Sequence, residues 1–176
     1  INWETYFCFI PKSFDEVEKY KVIICDIAGV GKHFNSHFQG GYLIQQITDI
    51  YPLKYLIFYS GQMWDATFGK ILKLVDDTMM KMDTVDDWDE KLKLAFGAIG
   101  NPVHMWEKKI HKYLKTKQVQ SAAIFEIKKQ YILAFQNHDS SAQFDKVLDK
   151  YQLPKDVVQS IHQLQEFINE INSFRS

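Results

Sequence analysis

Three short apolar runs in the first half of the chain predict buried β-strands. The first ends at Asp26 and covers residues 21–26, the second covers residues 54–61, and a shorter third lies at Asp77–Asp83. Between the first two, residues 39–47 begin a helix with apolar side chains at positions 43, 44 and 47. Strands that alternate with helices are typical of an α/β domain built on a parallel sheet.

The second half of the chain carries only helical patterns. Apolar residues recur there at spacings of three and four, and Gly100-Asn101-Pro102 ends the first of these helices. Four further helices are predicted: at about residues 103–114, at about residues 120–137, a short one around residues 144–148, and a last one that begins at Pro154 and extends to about residue 171. We therefore expect an α/β domain over residues 1–100 and an α-helical extension over residues 101–176.

The last predicted helix has an apolar seam. Its members follow one another at spacings of four and three: Val157, Ile161, Leu164, Ile168 and Ile171. The seam spans about two heptads, which is short for a free coiled coil. It either packs on its own domain or docks onto a partner or a second copy of the chain, and the sequence leaves both open.

Composition sets limits on the class of protein. The chain has 176 residues with 46% hydrophobic and 15% aromatic content, enough for a packed core. A formal net charge of −1 gives no bulk attraction to nucleic acid or to an anionic membrane, and neither is a predicted partner. No apolar run approaches the roughly 20 residues that span a bilayer, and no signal peptide is visible, so a cytoplasmic location is expected. Cys8 and Cys25 fall in predicted strands and are expected to be small core residues.

Residues with chemical function follow each predicted strand. Asp26 ends the first strand, Ser60 lies at the end of the second, and Lys81 follows in the third run. The carboxyl ends of parallel strands form the crevice in which ligands bind, so these three side chains are the candidate site. A carboxylate nucleophile, a hydroxyl and a cation are suited to accept a phosphoryl group, whose equatorial oxygens need positive charge.

Over roughly residues 3–95 this arrangement resembles the receiver domain of bacterial response regulators, a flavodoxin-like parallel sheet. The resemblance implies that Asp26 accepts a phosphoryl group from a histidine kinase or a phosphotransfer protein. It also implies that Ser60 donates a hydrogen bond to a phosphoryl oxygen and that Lys81 neutralises another. Asp26 and Ala28 would hold Mg²⁺. The protein would then be a signalling switch rather than an enzyme, with a homodimer as one candidate assembly.

The chain departs from the receiver pattern at its start. Residues 1–10 best match the family's second strand, and residues 13–20 match its second helix, with Ser13 and Glu16 as a capping box. The family's first strand, its first helix and the acidic pair that binds Mg²⁺ would lie upstream of Ile1. If that pair exists, a phosphorylated switch is expected. If the gene lacks it, the alternative is an unphosphorylated pseudo-receiver that serves as an interaction or assembly module.

Other candidate sites are weaker. His33 and His37 are four residues apart, but their surroundings predict a loop rather than a helical metal site. The acidic pairs at 76–77 and 86–87 flank predicted element boundaries, where carboxylates usually cap turns and helices. An enzyme that acts through Asp26 on a small phosphorylated substrate ranks last, because no second acid or base accompanies Asp26 in the sequence.

Overall fold

A computed structural model of the chain describes residues 15–26, 39–61, 69–137 and 141–173. The fold is mixed α/β, a three-stranded parallel sheet accompanied by helices, which confirms the predicted fold class at this level. The chain divides into two compact units, residues 2–99 and residues 100–176.

The first unit contains the sheet. Its strands are β1 (Val22–Asp26), β2 (Tyr55–Ser60) and β3 (Asp77–Met80), parallel to one another in the order β1-β2-β3. The short helix α1 (Asp15–Glu18) precedes β1, and α2 (Gln39–Ile50) leads into β2. A 3₁₀ turn at Ile71–Lys73 precedes β3, and α3 (Val85–Ile99) follows it.

Strand register decides which side chains share a face. Asp26 pairs with Tyr59, Tyr59 pairs with Met79, and Ser60 pairs with Met80. Since successive side chains of a strand point to opposite faces, Asp26 and Tyr59 lie on one face and Ser60 on the other. The Ser60 face carries a buried cluster contributed by both strands and α2: Cys25, Leu43, Ile44, Ile47, Leu56 and Phe58.

Asp77 and Asp87 each accept hydrogen bonds, Asp77 at the start of β3 and Asp87 at the start of α3. Asp77 Oδ1 accepts from the main-chain N–H of Thr78 at 2.6 Å and from Lys91 Nζ on α3 at 3.1 Å. Asp87 Oδ2 accepts from the Thr84 N–H at 2.8 Å, and Asp87 N–H donates back to Thr84 Oγ1 at 3.3 Å. This reciprocal cap fixes the start of α3.

The second unit is helical. It consists of α4 (Pro102–Met105), a π-helical turn (Trp106–Ile110), α5 (His111–Thr116), α6 (Ser121–Asn137), α7 (Ser141–Tyr151) and α8 (Lys155–Ser173). Four members of the α8 seam are at most 1% exposed within this single chain: Val157, Ile161, Leu164 and Ile168. The seam is therefore already covered by packing in the chain itself. None of the helices in the described ranges is long and apolar enough to cross a lipid bilayer.

Candidate functional site

The three predicted site residues all lie at the carboxyl edge of the sheet. Asp26 is the last residue of β1, Ser60 is the last residue of β2, and Lys81 directly follows β3. The main-chain N–H of Lys81 donates to the Ser60 carbonyl at 2.9 Å, which extends the pairing of β2 and β3 by one bond. This bond fixes the point from which the Lys81 side chain leaves the sheet.

Asp26 and Lys81 form an ion pair. Lys81 Nζ donates to Asp26 Oδ2 at 2.6 Å, although the two residues are 55 positions apart in the chain. The Lys81 side chain is 45% exposed and that of Asp26 is 21% exposed, so the pair faces solvent but is not fully hydrated. Two residues of opposite charge thus meet at the edge where a parallel sheet places its ligands.

Gly61 leaves room for the Lys81 side chain on its way to Asp26. β1 and β3 are not neighbours, and two strand spacings amount to roughly 10 Å, so Lys81 has to pass over the end of β2. A Cβ at Gly61 would lie 3.1 Å from Lys81 Cδ, tighter than ordinary van der Waals contact. The missing side chain at Gly61 therefore provides the path of the lysine stem.

Two aromatic rings complete the site on the face that carries Asp26. Lys81 Nζ lies 5.5 Å from the centroid of the Tyr59 ring, within the range of a cation–π contact. The Tyr59 ring in turn meets Trp88 of α3 edge to face, with centroids 5.3 Å apart and an interplanar angle of 70°. Sequence patterns did not single out Tyr59 or Gly61 as site residues. The alternation of side chains along β2, which puts Tyr59 and Ser60 on opposite faces, is the signal that could have identified Tyr59.

Ser60 occupies a different environment from the ion pair. It is 4% exposed, and its position one residue beyond Tyr59 directs its side chain toward the face that packs on α2. Asp26 lies on the opposite face, as Tyr59 does. The structure thus brings Asp26 and Lys81 together and places Ser60 at the same edge, while the hydroxyl role of Ser60 stays a prediction.

The electrostatics of the site keep Lys81 charged and Cys25 neutral. The hydrogen bond with Asp26, followed by the charge of Asp26, raises the pKa of Lys81 above its ordinary value. Burial, with the negative charge of Asp26 as a second cause, raises the pKa of Cys25 to about 12. Cys25 is 7% exposed and lies in the core beside the site, as a protonated thiol without nucleophilic character at neutral pH.

The described residues supply no ready-made metal site. No group of three or more His, Cys, Asp or Glu side chains in those parts of the chain is arranged to hold a metal ion. Of the two predicted Mg²⁺ ligands, Asp26 is described, whereas Ala28 lies outside the described residues. His33, His37 and Cys8 also fall outside them.

Comparison with known proteins adds no relative on which function could be based. No protein-family model matches the chain, and neither a curated protein nor a solved structure matches it. The geometry of the site and the residues at the three strand ends are what remains to indicate a function.

Proposed function

We propose that the protein is a receiver-like signalling module in which Asp26 accepts a phosphoryl group. The observation that carries the proposal is the 2.6 Å contact between Lys81 Nζ and Asp26 Oδ2 at the carboxyl edge of a parallel sheet. A lysine held against the acceptor carboxylate supplies positive charge where the phosphoryl oxygens would arrive. The finer fold, a flavodoxin-like receiver sheet, belongs to the same proposal.

The proposed reaction is a single phosphoryl transfer. A carboxylate oxygen of Asp26 attacks the phosphorus of a phosphohistidine on a histidine kinase or phosphotransfer protein. The new P–O bond forms as the P–N bond breaks, and the leaving imidazole nitrogen takes a proton from solvent. Lys81 stays protonated throughout, because its pKa is raised above the ordinary value, and it stabilises the charge on the transferred group.

The proposal depends on Asp26 and Lys81 and not on Mg²⁺ or Ser60. Asp26 is the one carboxylate that we assign to Mg²⁺ in the described part of the chain, and one carboxylate does not make a magnesium site. We therefore assign no step to the ion. Ser60 would have to leave its position on the α2 face to reach a phosphoryl oxygen.

A second function is favoured by two observations at the sheet edge. The described residues contain no multi-carboxylate cluster at the sheet edge, and the Asp26 carboxylate already has a lysine partner. A domain with this arrangement can serve as a pseudo-receiver, an interaction or assembly module in which the ion pair is structural. The two functions differ in one measurable property, covalent modification of Asp26.

The test is phosphorylation in vitro. The full chain is incubated with Mg²⁺ and acetyl phosphate, and its intact mass is measured over time. We expect a gain of about 80 Da, one phosphoryl group, in the unmodified protein and none in Asp26→Asn. We expect Lys81→Met to slow the gain by about 10²-fold, the usual effect of removing one electrostatic stabiliser.

A matched control comes from the second unit. Lys117 Nζ donates to Asp156 at 2.7 Å and lies 5.6 Å from the ring of Tyr113, the same combination of contacts that Lys81 makes. Lys117→Met should leave the labelling rate unchanged. A protein that gains no mass, or that gains it equally after Asp26→Asn, would favour the pseudo-receiver.

A further inference from the structure

Four side chains form a continuous series of contacts from the sheet edge to α3. Asp26 Oδ2 accepts from Lys81 Nζ at 2.6 Å, Nζ lies 5.5 Å from the Tyr59 centroid, and the Tyr59 ring lies 5.3 Å from that of Trp88. Each residue belongs to a different part of the first unit: β1, the segment after β3, β2 and α3. The series therefore joins the acceptor carboxylate to a helix outside the sheet.

The Lys81 ammonium has two partners, which attract it by different interactions. The carboxylate attracts it by charge and hydrogen bonding, whereas the Tyr59 ring attracts it through its π face. A phosphoryl group on Asp26 would replace the single negative charge of the carboxylate with a phosphoryl charge of about −1.5 to −2, carried by oxygens that lie farther from the β1 backbone. The ammonium would then follow those oxygens, and the face of the Tyr59 ring would lose its cation.

The helix that carries Trp88 is attached on both sides of this residue. The reciprocal Thr84 and Asp87 cap lies before it, and Lys91, which donates to Asp77 Oδ1 at 3.1 Å, lies after it. The first two turns of α3 are thus hydrogen-bonded as one segment that contacts β2 through Trp88. Two large apolar side chains flank the start of that segment and are highly exposed, Met82 at 82% and Val85 at 84%.

We infer that the Tyr59 and Trp88 rings transmit the charge state of Asp26, through Lys81, to the first two turns of α3. In this arrangement Lys81 is the movable part, Tyr59 is the positioning residue that senses where the ammonium lies, and Trp88 is the contact that α3 makes with it. The inference rests on the proposed function for the event at Asp26. The contacts themselves, however, can be tested without phosphorylation.

Tryptophan emission provides the measurement. The chain contains four tryptophans, so the Trp88 contribution is obtained by subtracting the spectrum of the matching Trp88→Phe protein. Asp26→Asn and Lys81→Met each remove the ion pair by changing one partly exposed side chain. Each substitution should shift the Trp88 emission. Lys117→Met removes the equivalent lysine of the second unit and should leave the Trp88 emission unchanged.

The role of Tyr59 is tested in the same spectra. Replacing it in Tyr59→Leu should abolish the shift that Asp26→Asn causes. The inference is overturned if the Asp26→Asn and Lys81→Met proteins both show the same Trp88 emission as the unmodified protein. The Tyr59 variant is then not needed. A shift that persists undiminished in Tyr59→Leu, with the far-UV dichroism of the fold retained, would also overturn it.

Phosphorylation separates this inference from the proposed function. Where acetyl phosphate produces the mass gain, the Trp88 contribution should change with the same time course, and labelled protein with unchanged Trp88 emission would contradict the inference. If the protein gains no mass, the proposed phosphorylation of Asp26 is contradicted, but the inference about α3 is not. In that case the ion-pair variants still decide whether α3 responds to charge at Asp26.

Discussion

At the scale of single residues, the Asp26 and Lys81 pair matters for position more than for stability. Both side chains are partly exposed, and ion pairs of this kind contribute little free energy because water and salt screen them. Their geometry is nonetheless specific, since Lys81 crosses β2 at Gly61 to reach Asp26. A lysine that spans two strand spacings to reach Asp26 places the ion pair at the carboxyl edge of the sheet.

Gly61→Ala tests that crossing. The backbone at Gly61 lies outside the left-handed region, so alanine introduces no backbone strain, but its Cβ would lie 3.1 Å from Lys81 Cδ. We expect the free energy of unfolding to change by no more than about 0.5 kcal/mol. We expect labelling by acetyl phosphate to slow, though by less than in Lys81→Met, because the ammonium is displaced and not removed. An unchanged labelling rate would show that Lys81 does not need this path.

The pKa of Lys81 gives a second residue-scale prediction. Asp26 raises this pKa above the ordinary value of 10.5, so Asp26→Asn should lower it toward that value in an NMR titration of the side chain. Because the folded pKa is the higher one, the contribution of the pair to stability is complete below the unfolded pKa. It is lost as the pH rises through the folded pKa. A Lys81 pKa that is the same in both proteins would contradict the pairing.

At the scale of elements, the apolar pattern predicted the strands and helices well because each has a clear period or sharp ends. β1 ends at Asp26 and α2 begins at Gln39, as the sequence indicated. The π-helical turn at Trp106–Ile110 was not predicted, because one extra residue in a turn leaves the apolar spacing almost unchanged. The sequence also did not show that Tyr59, and not Ser60, shares a face with Asp26. That depends on the register between β1 and β2, and a shift of one residue in register exchanges the two faces of a strand.

Two helical glycines make a matched pair for testing element packing. Gly41 is buried in α2, and a Cβ there would overlap Cδ1 of Ile71, whereas a Cβ at Gly97 of α3 would meet nothing within 4 Å. We expect Gly41→Ala to be less stabilising than Gly97→Ala, because the end of the Ile71 side chain has to shift and this offsets the gain in helix propensity. Gly97→Ala should stabilise the protein by about 0.5–1 kcal/mol through helix propensity. Urea unfolding measures both, and equal effects would show that α2 does not pack this closely on the 3₁₀ turn.

Two tyrosines of the helical unit make a second pair. The Tyr131 hydroxyl is buried and has no hydrogen-bond partner within the described residues, and burial raises its pKa. Tyr151, by contrast, donates to Glu126 Oε1 at 2.8 Å. Tyr131→Phe should therefore be neutral or stabilising, whereas Tyr151→Phe should cost about 1 kcal/mol. Thermal unfolding distinguishes the two, and a loss of more than about 1 kcal/mol in Tyr131→Phe would reveal a partner for its hydroxyl.

At the scale of the whole molecule, the proposed switch lies entirely in the unit of residues 2–99. Asp26, Gly61, Lys81, Tyr59 and Trp88 all belong to that unit, and the Lys117 group that matches Lys81 belongs to the unit of residues 100–176. The intact chain thus contains both the proposed phosphorylation site and a matching lysine that serves as its control. The central claim, that Asp26 is a phosphoacceptor, can be tested on one protein.

The most direct test locates the modified residue chemically. After treatment with acetyl phosphate and Mg²⁺, borohydride reduction converts a phosphoaspartate to homoserine, which peptide mass spectrometry can assign to one position. We predict homoserine at position 26 and at no other aspartate, with none in protein that received no phosphoryl donor. Homoserine at other aspartates but not at 26, or its complete absence, would contradict the claim and leave the Asp26 and Lys81 pair as part of an interaction module.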